Sequence, residues 1–240
     1  MAELSGEARQ RYVADLFARI APRYDLMNTL MTGGMHLRWR QKTAQVTARG
    51  LRGKALDVAT GTGGLALALA CRSEIDQVVG VDLLPEMLGL AQTKARTRGL
   101  FRQTTLLMGD ALALPFPDNT FACATAGFSL RNMPDLRQAL VEMARVVSPG
   151  GRVTTLELTP FNRGVKARLF RLYFHRLVPF MGQVVAGDRS AYTYLPQSVD
   201  YFLEADRLAG LFREVGLTEV DYLKLGFGTV ALHRGIKPRE

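Results

Sequence analysis

The glycine-rich run Leu-Asp-Val-Ala-Thr-Gly-Thr-Gly-Gly at residues 56–64 has the composition of a ligand-binding loop. It joins an apolar strand pattern to the helical pattern of residues 65–71. Glycines in such a turn let the backbone approach a ligand closely, and the helix that follows offers N–H groups to a polar moiety. The run alone is a weak signal, because an ordinary structural turn can have the same composition.

Two further acids follow apolar runs and strengthen the interpretation as a ligand site. Asp82 lies roughly twenty residues beyond the loop, where an acid can bind both hydroxyls of a ribose. Its alternative role is to cap the helix that begins near Pro85. Asp110 follows a third apolar run, and its alternative role is that of an ordinary turn acid. If the runs are parallel strands, the three loops meet at the carboxyl edge of the sheet, where open α/β folds bind ligands.

The order of the elements predicts such a sheet. Between residues 54 and 158, short apolar or β-branched runs alternate with longer amphipathic segments, as in successive βα units. The predicted strands span residues 55–59, 77–81, 104–108, 121–126 and 152–158, and the predicted helices span residues 64–72, 85–98 and 135–147. The last helix is predicted to lie between Pro134 and the Pro-Gly-Gly run at 149–151. A helical segment follows Glu204, and residues 217–225 and 229–233 are predicted to pair as an antiparallel hairpin at the sheet edge.

The composition is that of a folded chain. Apolar residues make up 48% and charged residues 22% of the 240 residues. The net charge of +9 favours an anionic partner, but a solvated surface explains it equally well, and the cations are dispersed rather than clustered as in a nucleic-acid footprint. We therefore expect no nucleic-acid partner. Cys71 and Cys123 lie in apolar segments, so we interpret them as core residues and expect no metal site.

Neither a membrane span nor a signal peptide is predicted. The longest apolar run, residues 65–71, is far shorter than the roughly 18 residues that cross a bilayer. Glu3 and Glu7 stand where a signal peptide would be basic. We therefore expect a cytoplasmic protein.

The three loops together resemble those of S-adenosylmethionine-dependent methyltransferases. They depart from the dinucleotide fingerprint, because Ala66 stands where that fingerprint has its third glycine. The resemblance implies a Rossmann-like methyltransferase fold, a mostly parallel seven-stranded sheet with an antiparallel edge and helices on both faces. It implies that S-adenosylmethionine is the cofactor and that Asp110 meets the adenine amino group. The implied cofactor-binding residues are Asp57, Gly61, Thr62, Gly63, Asp82, Asp110, Ala111 and Gly127.

Segments outside the three loops resemble one family, the C-methyltransferases of menaquinone and ubiquinone biosynthesis. The matching segments are residues 17–28, 34–40, 127–132, 192–199 and 230–237, so the resemblance spans nearly the whole chain. It implies C-methylation of a prenylated quinol ring, with demethylmenaquinol preferred over a benzoquinol. The sequence has no internal repeat, low-complexity tract or long linker, so we expect a single domain, 1–240. Its expected parts are an N-terminal helical substrate or lid segment (1–50), a cofactor-binding core (51–160), a helical insertion (161–202) and a C-terminal helix with edge hairpin (203–240).

Three residues depart from this family's pattern. Gly64 replaces an acid that could contact the amino group of the methionine moiety, so that contact is either absent or supplied by Asp57 or a backbone carbonyl. Gly127 stands where some members have a serine, and Leu37 replaces a common basic residue. Cofactor affinity is therefore expected to be weaker.

Methylation of a quinol carbon requires electron density from an ionising phenol, whose unperturbed pKa is about 10. The resemblance points to Arg131, which would stabilise the phenolate or orient a base; its alternative role is an i, i+4 ion pair with Asp135. The candidate bases, all outside the predicted sheet, are His36, His175, Tyr194 and Asp25. Packing roles are the alternative for Tyr24 and Tyr194, and we favour packing for Trp39.

Residues 163–178 have an amphipathic helical pattern. Arg168, Arg171 and His175 fall on one predicted face, and Val165, Leu169 and Leu172 fall on another. Such a helix either covers the sheet, which we favour, or lies on an anionic membrane. The rival functions are an RNA or DNA methyltransferase, or another small-molecule one, and a non-catalytic S-adenosylmethionine-binding protein. Whether the chain forms a homodimer stays open.

Overall fold

The computed structural model describes residues 6–161 and 164–239. Helices α1 (Gly6–Ile20), α2 (Tyr24–Thr32) and α3 (Met35–Ala48) precede the sheet, and a single 3-10 turn, Ala21–Arg23, joins the first two. Because Gly33 and Gly34 both have positive φ angles, the chain reverses tightly between α2 and α3. Helices α2 and α3 therefore form a helical hairpin ahead of the first strand.

The central part of the chain alternates strands and helices. The elements are β1 (Gly53–Val58), α4 (Gly64–Ala70), β2 (Ile75–Asp82), α5 (Pro85–Thr97), β3 (Thr104–Met108), β4 (Phe121–Gly127), α6 (Leu136–Val146) and β5 (Val147–Leu158). Short 3-10 turns at Phe101–Gln103 and Leu130–Asn132 lie in the connections. A helix connects β1 to β2, β2 to β3 and β4 to β5, as the sequence predicted, whereas a loop without a helix connects β3 to β4.

The C-terminal part contains a long helical segment and the edge strands. The segment consists of α7 (Gly164–Leu172), a π turn (Tyr173–Leu177), α8 (Val178–Met181) and a second π turn (Gly182–Ala186). It is followed by α9 (Arg189–Asp200), α10 (Ala205–Glu214), β6 (Thr218–Leu225), a 3-10 turn (Gly226–Gly228) and β7 (Val230–Ile236).

The seven strands form one sheet in the order β3-β2-β1-β4-β5-β7-β6. Strands β1 to β5 pair in parallel, whereas β7 is antiparallel to both of its neighbours. The predicted mostly parallel α/β fold with an antiparallel edge is therefore confirmed. Strands β1, β2 and β3 follow one another towards one edge of the sheet, and the chain then returns to add β4 on the other side of β1. The loops that follow β1 and β4 therefore diverge and leave a crevice between them.

Alternate residues of β1 point to opposite hydrophobic clusters. Leu56 and Val58 pack in a cluster that includes residues of α6 and α10, and Ala55 packs in a cluster with residues of α3 and α4. Burial of a leucine or valine side chain stabilises the fold by about 1.5–3 kcal/mol. Each face of the sheet is thus held by its own layer of helices.

Small residues let α3 approach the sheet closely. Ala44 and Ala48 of α3 pack with Ala66 and Ala70 of α4, and all four are buried. Bulkier residues here would hold the two helices further apart. The close packing places the N-terminal half of α3 beside the loop between β1 and α4.

Several sequence predictions need correction. Strand β5 begins at Val147 rather than at residue 152, and α6 ends at Val146. The Pro-Gly-Gly run at 149–151 forms a bulge in β5 instead of ending the helix, and a β-carbon on Gly151 would lie 2.5 Å from the Ala122 carbonyl oxygen. Cys123 is buried, but Cys71 is exposed because it follows the last residue of α4.

The segment 163–178 buries part of its surface, as favoured, but the leucine side of the predicted helix is not the buried side. Leu169 and Leu172 are 64% and 62% exposed, and the side chains that turn inward are Ala167, Phe174 and Val178. This segment is apolar on more than one side, so the leucine spacing did not identify the buried side. Residue 163 lies outside the described residues.

Within residues 6–161 and 164–239, no helix is both long and apolar enough to span a bilayer. Glu3, on which the expectation of a cytoplasmic protein partly rests, lies outside this range.

Candidate active site

The loop between β1 and α4 is held by the carboxylate of Asp82. Its Oδ2 accepts a hydrogen bond of 2.7 Å from the Gly61 backbone N–H, and its Oδ1 accepts one of 3.0 Å from the Leu84 N–H. Leu84, and not Asp82, is the N-cap residue of α5, so the alternative role of Asp82 as the helix cap is wrong. Burial raises the pKa of Asp82. The carboxylate therefore joins the loops that follow β1 and β2.

Asp57 fixes the same loop from the end of β1. Its carboxylate accepts hydrogen bonds of 2.7 Å from the hydroxyls of Thr60 and Thr125, and its side chain is buried. Burial raises the pKa of Asp57 to about 6, although these hydrogen bonds favour the ionised form. Asp57 thus connects β1, its loop and β4.

Asp110 serves the turn after β3. Its Oδ1 accepts a hydrogen bond of 2.9 Å from the Leu112 N–H, which is the turn role that the sequence left open. The side chain also borders the cavity at which these loops meet, so the turn role does not exclude contact with a ligand.

A cavity of about 150 Å³, here called the loop cavity, opens between these loops. Of the residues predicted to bind a cofactor, seven line it: Asp57, Gly61, Thr62, Asp82, Asp110, Ala111 and Gly127. Gly63 does not line it. Gly63 has a φ of +77°, and a β-carbon at this position would lie only 2.9 Å from the Ala91 β-carbon. Gly63 is therefore required for the packing of α4 on α5 instead.

The loop cavity also has walls that the sequence did not predict. The additional side chains include Gln10, Phe17, Arg40, Met87, Phe128 and Asn132. Phe17, Arg40, Phe128 and Asn132 lie in segments that carried the family resemblance, which was the available signal. No signal in the sequence pointed to Gln10 or Met87.

Asp25, on α2, contacts the glycine-rich loop but lines neither the loop cavity nor the larger cavity beside it. Its Oδ1 accepts a hydrogen bond of 2.9 Å from the Thr62 hydroxyl, and its carboxylate forms an ion pair with Lys94. These partners connect α2 to the glycine-rich loop and to α5. Asp25 is therefore placed to hold the loop, which argues against its predicted role as a free base.

A second cavity of about 500 Å³, here called the aromatic cavity, lies beside the first. Phe17, Tyr24 and Phe128 line both cavities, so the two share a wall. The lining is mostly aromatic and aliphatic and comes from α1, α2, α3, α7, α9 and the turn before β7. Its polar members include the predicted residues His36, Arg131 and Tyr194.

Arg131 is buried in the wall of the aromatic cavity. Its Nη1 donates hydrogen bonds to Glu157 Oε1 at 2.6 Å and to the Phe128 carbonyl at 2.7 Å, and its Nε donates to Ser198 Oγ at 3.2 Å. Glu157 is only 1% exposed and does not line the cavity. The alternative ion pair with Asp135 is wrong, because Asp135 caps α6 through the Gln138 N–H.

His36 is buried between two polar neighbours. The Arg40 guanidinium, which can only donate, makes a hydrogen bond of 2.7 Å to Nδ1, so the proton of the neutral ring lies on Nε2, 3.2 Å from the Thr29 hydroxyl. Burial and the neighbouring Arg40 charge lower the pKa of His36 to about 4. The ring has no lone pair left for a substrate proton, so the predicted role of base does not fit this geometry.

Tyr194 and Asn132 connect the two cavities. The Tyr194 hydroxyl, in the aromatic cavity, donates a hydrogen bond of 3.0 Å to Oδ1 of Asn132, which lines the loop cavity. His175 lines neither cavity and lies 3.2 Å from Asp200, so its predicted role as a base has no geometric support. Trp39 packs beside Phe128 in the wall of the aromatic cavity.

Several solved structures with similar folds are methyltransferases by their names. The cyclase SpnF aligns with a TM-score of 0.72 over 99% of both chains at 21% identity. An S-adenosylmethionine-dependent methyltransferase of Thermotoga maritima aligns with a TM-score of 0.61 over 93% of this chain and 99% of its own, at 20% identity. At such identities the likeness concerns the fold alone.

Sequence comparison identifies the family. A demethylmenaquinone methyltransferase of Thermus thermophilus is 43% identical over 93% of this chain and 100% of its own length. A ubiquinone/menaquinone biosynthesis C-methyltransferase of Cellvibrio japonicus is 37% identical over 97% of this chain and 94% of its own length. The model of the ubiE/COQ5 methyltransferase family matches residues 5–237. The chain, an S-adenosylmethionine-dependent methyltransferase, therefore belongs to the ubiE/COQ5 methyltransferase family.

Proposed function

We propose that the protein transfers a methyl group from S-adenosylmethionine to a ring carbon of a prenylated quinol, with demethylmenaquinol as the acceptor. The observation that carries this proposal is the pair of adjoining cavities, one lined by loops and acids and the other by aromatic side chains. The family and the names of the relatives support the same reaction.

The order of the residues around the loop cavity supports its assignment to the cofactor. The carboxyl ends of β3, β2, β1 and β4 lie side by side, which places Asp110, Asp82, the glycine-rich loop and Gly127 in that order. Asp110 would hold the adenine, Asp82 the ribose, and the region around the loop and Gly127 the methionine moiety. When bound, the cofactor supplies an electrophilic methyl group on a sulfonium centre.

The aromatic cavity suits the acceptor. Its volume of about 500 Å³ falls in the range of pockets that hold small organic ligands. Phe17, Tyr24 and Phe128 form the boundary with the loop cavity, so an acceptor ring against them would lie next to the methionine end of the cofactor site. Binding both reactants in adjoining cavities positions the ring carbon for attack.

Arg131 is the residue that we assign to phenolate stabilisation. A quinol hydroxyl must lose its proton to make the ring carbon nucleophilic, and a nearby cation in an apolar cavity lowers the pKa of that hydroxyl. Glu157 and Ser198 hold the guanidinium in place. The hydroxyl proton would leave to water, and the ring carbon of the phenolate would take the methyl group as the methyl–sulfur bond breaks and S-adenosylhomocysteine leaves. The hydrogen of that ring carbon would then leave as a proton and the phenolate oxygen would regain one from water, so that one proton is released overall.

Methyl transfer from isotopically labelled S-adenosylmethionine tests this proposal. The acceptors are reduced demethylmenaquinone, the corresponding demethylated benzoquinol and bulk RNA, in parallel. We expect labelled product with the naphthoquinol. Labelled RNA alone would overturn the acceptor, and cofactor binding without any product would favour a non-catalytic protein.

We further propose that the protein works in the cytoplasm with the segment 164–186 against an anionic membrane, where a prenylated acceptor resides. Leu169, Leu172, Phe180 and Val184 are 61–69% exposed along this segment. No acidic residue occurs between Glu157 and Asp188, whereas arginines accompany the leucines. Exposed apolar side chains among cations are typical of interfacial helices. Leu169 also lines the aromatic cavity, so this surface adjoins the cavity opening.

Vesicle co-sedimentation tests the membrane contact. We expect binding to phosphatidylglycerol vesicles at low salt, weaker binding at high salt, and little binding to phosphatidylcholine vesicles. The double variant Leu172→Glu/Phe180→Glu should lose binding. Met108→Glu/Leu223→Glu, which adds the same charge at exposed sites on the two edge strands, should keep most of it. Equal loss in both variants, or no binding at low salt, would contradict the proposal.

A further inference from the structure

Arg40 is a buried cation in the wall of the loop cavity. It lies on α3 and is 8% exposed. Its Nη1 donates a hydrogen bond of 2.7 Å to His36 Nδ1, and its guanidinium carbon lies 5.8 Å from the centre of the Phe128 ring. Both partners are uncharged, because the lowered pKa of His36 keeps that ring neutral at physiological pH.

The guanidinium has no ion pair with any carboxylate in the described part of the chain. Asp57 is close enough for Arg40 to lower its pKa, but its carboxylate is bonded to Thr60 and Thr125. Burial of a charge is costly when no opposite charge bonds to it directly, so a buried arginine that lacks a direct ion pair beside a cavity is suited to an anionic ligand.

Gly64 makes room for this arginine. A β-carbon on Gly64 would lie 2.9 Å from the guanidinium carbon and 3.0 Å from Nε. Gly64 is also the position at which the family resemblance of the sequence leads us to expect an acid. Position 64 therefore carries no negative side chain, and the Arg40 guanidinium occupies the space that a side chain at this position would fill.

We propose that Arg40 binds the α-carboxylate of the methionine moiety of S-adenosylmethionine, as a charge-assisted contact in the space that Gly64 leaves open. The proposal rests on the cofactor assignment of the loop cavity. Arg40 lies beside Gly64 and Phe128, on the β1 and β4 side of the cavity, away from Asp110 at the other end. A guanidinium is a donor suited to a carboxylate, and the free methionine carboxylate is the anionic group of this cofactor.

The role of His36 follows from the same geometry. Its Nδ1 accepts from Arg40, and its Nε2 faces the Thr29 hydroxyl, which donates to the Asp25 carbonyl. These bonds orient the guanidinium from the aromatic-cavity side. His36 is therefore a positioning residue for Arg40.

Calorimetric binding of S-adenosylmethionine and of decarboxylated S-adenosylmethionine tests the proposal, because the two ligands differ only in the carboxylate. Hydrogen bonds to charged groups correspond to an affinity ratio of about 10 to 150 in favour of the complete cofactor in the unmodified protein. Arg40→Met should reduce this ratio to below about 3, with little change for the decarboxylated ligand. Arg40→Lys, which keeps the charge without the planar donor pair, should give an intermediate ratio.

Arg38→Met is the matched control, because it removes the same charge from an exposed position on the same helix. It should leave the ratio unchanged. An unchanged ratio in Arg40→Met, with folding verified by circular dichroism, would overturn the proposal, and so would an equal fall in Arg38→Met. If Arg40→Met does not fold, an unchanged ratio in Arg40→Lys overturns it. The calorimetric assay contains no quinol, so a negative result for Arg40 does not affect the assignment of the acceptor. Conversely, the affinity ratio can still be interpreted if the protein fails to methylate the quinol.

Discussion

The loop cavity and the aromatic cavity are built from different parts of the chain. The loop cavity forms at the ends of neighbouring parallel strands, and carboxylates such as Asp82 bond to backbone N–H groups to fix its loops. The aromatic cavity is enclosed by side chains of helices far apart in sequence, from Leu16 on α1 to Leu195 on α9. The geometry of the loop cavity therefore depends on backbone hydrogen bonds, whereas that of the aromatic cavity depends on the packing of side chains.

This difference predicts how the two sites respond to change. A substitution at a strand end alters loop geometry and with it cofactor binding or stability, because backbone donors depend on that side chain. A substitution in the aromatic cavity alters the acceptor step and leaves the loops intact. Phe17, Tyr24 and Phe128, which line both, are the residues at which this separation should fail.

The largest expected effect concerns Arg131 and Glu157. The double variant Arg131→Gln/Glu157→Gln removes both charges and avoids leaving one buried alone, a loss that costs about 3–5 kcal/mol. We expect kcat for the quinol to fall about 10²- to 10³-fold, as for loss of an electrostatic stabiliser, with an unchanged Kd for S-adenosylmethionine. Steady-state kinetics and calorimetry measure both. A cofactor Kd that weakens in parallel with kcat would show that the sites are not separable.

Asp57 gives a prediction on the loop side. Its pKa is raised from 3.8 to about 6, so the native state holds this proton more tightly than the unfolded chain. The free energy of unfolding of the unmodified protein should therefore fall relative to that of Asp57→Asn as the pH rises from 4 to 6. The expected fall is about 3 kcal/mol, because one pKa unit corresponds to about 1.4 kcal/mol. Urea unfolding at pH 4 and pH 7 measures this difference. The lowered pKa of His36 makes its contribution to stability change with pH in the opposite direction, but this contribution is the same in both proteins and cancels in their difference. A difference independent of pH would contradict the assignment.

Substitutions of Gly64 should have the smallest effect, and they distinguish the influence of charge beside Arg40 from the influence of space. Gly64→Asp supplies a carboxylate beside Arg40, and we expect it to lower the preference for S-adenosylmethionine over its decarboxylated form about tenfold. Gly64→Ala displaces the guanidinium by a few tenths of an ångström without adding charge, so it should lower that preference less. Equal effects in calorimetry would attribute the change to space rather than to charge. The KM for the quinol should stay constant in both variants.

Sequence patterns predicted the loop cavity well, for a physical reason. Strand, loop and helix follow one another locally, and strands that alternate with helices must be parallel, which brings Asp57, Asp82 and Asp110 to one edge. Gly63 was the exception, because a glycine that permits close packing looks the same in sequence as one that faces a ligand.

The aromatic cavity could be predicted only in outline. The pairing of Arg131 with Glu157 depends on the parallel pairing of β5 with β4, which brings together residues 26 positions apart, and no local periodicity encodes it. The burial of Arg40 depends on the alanines that bring α3 onto α4. The exposure of Leu169 was mispredicted because its helix is apolar on more than one side.

Filling the aromatic cavity tests its role as the acceptor site most directly. Ala191 is buried in its wall, and Ala191→Phe would occupy part of its volume, whereas Thr193→Phe adds the same bulk on α9 outside both cavities. The measurement is methyl transfer to reduced demethylmenaquinone, with cofactor affinity determined in parallel. We expect Ala191→Phe to bind S-adenosylmethionine normally and to lose most methyl transfer, and Thr193→Phe to retain it. Full methyl transfer by Ala191→Phe would contradict the assignment of this cavity to the quinol.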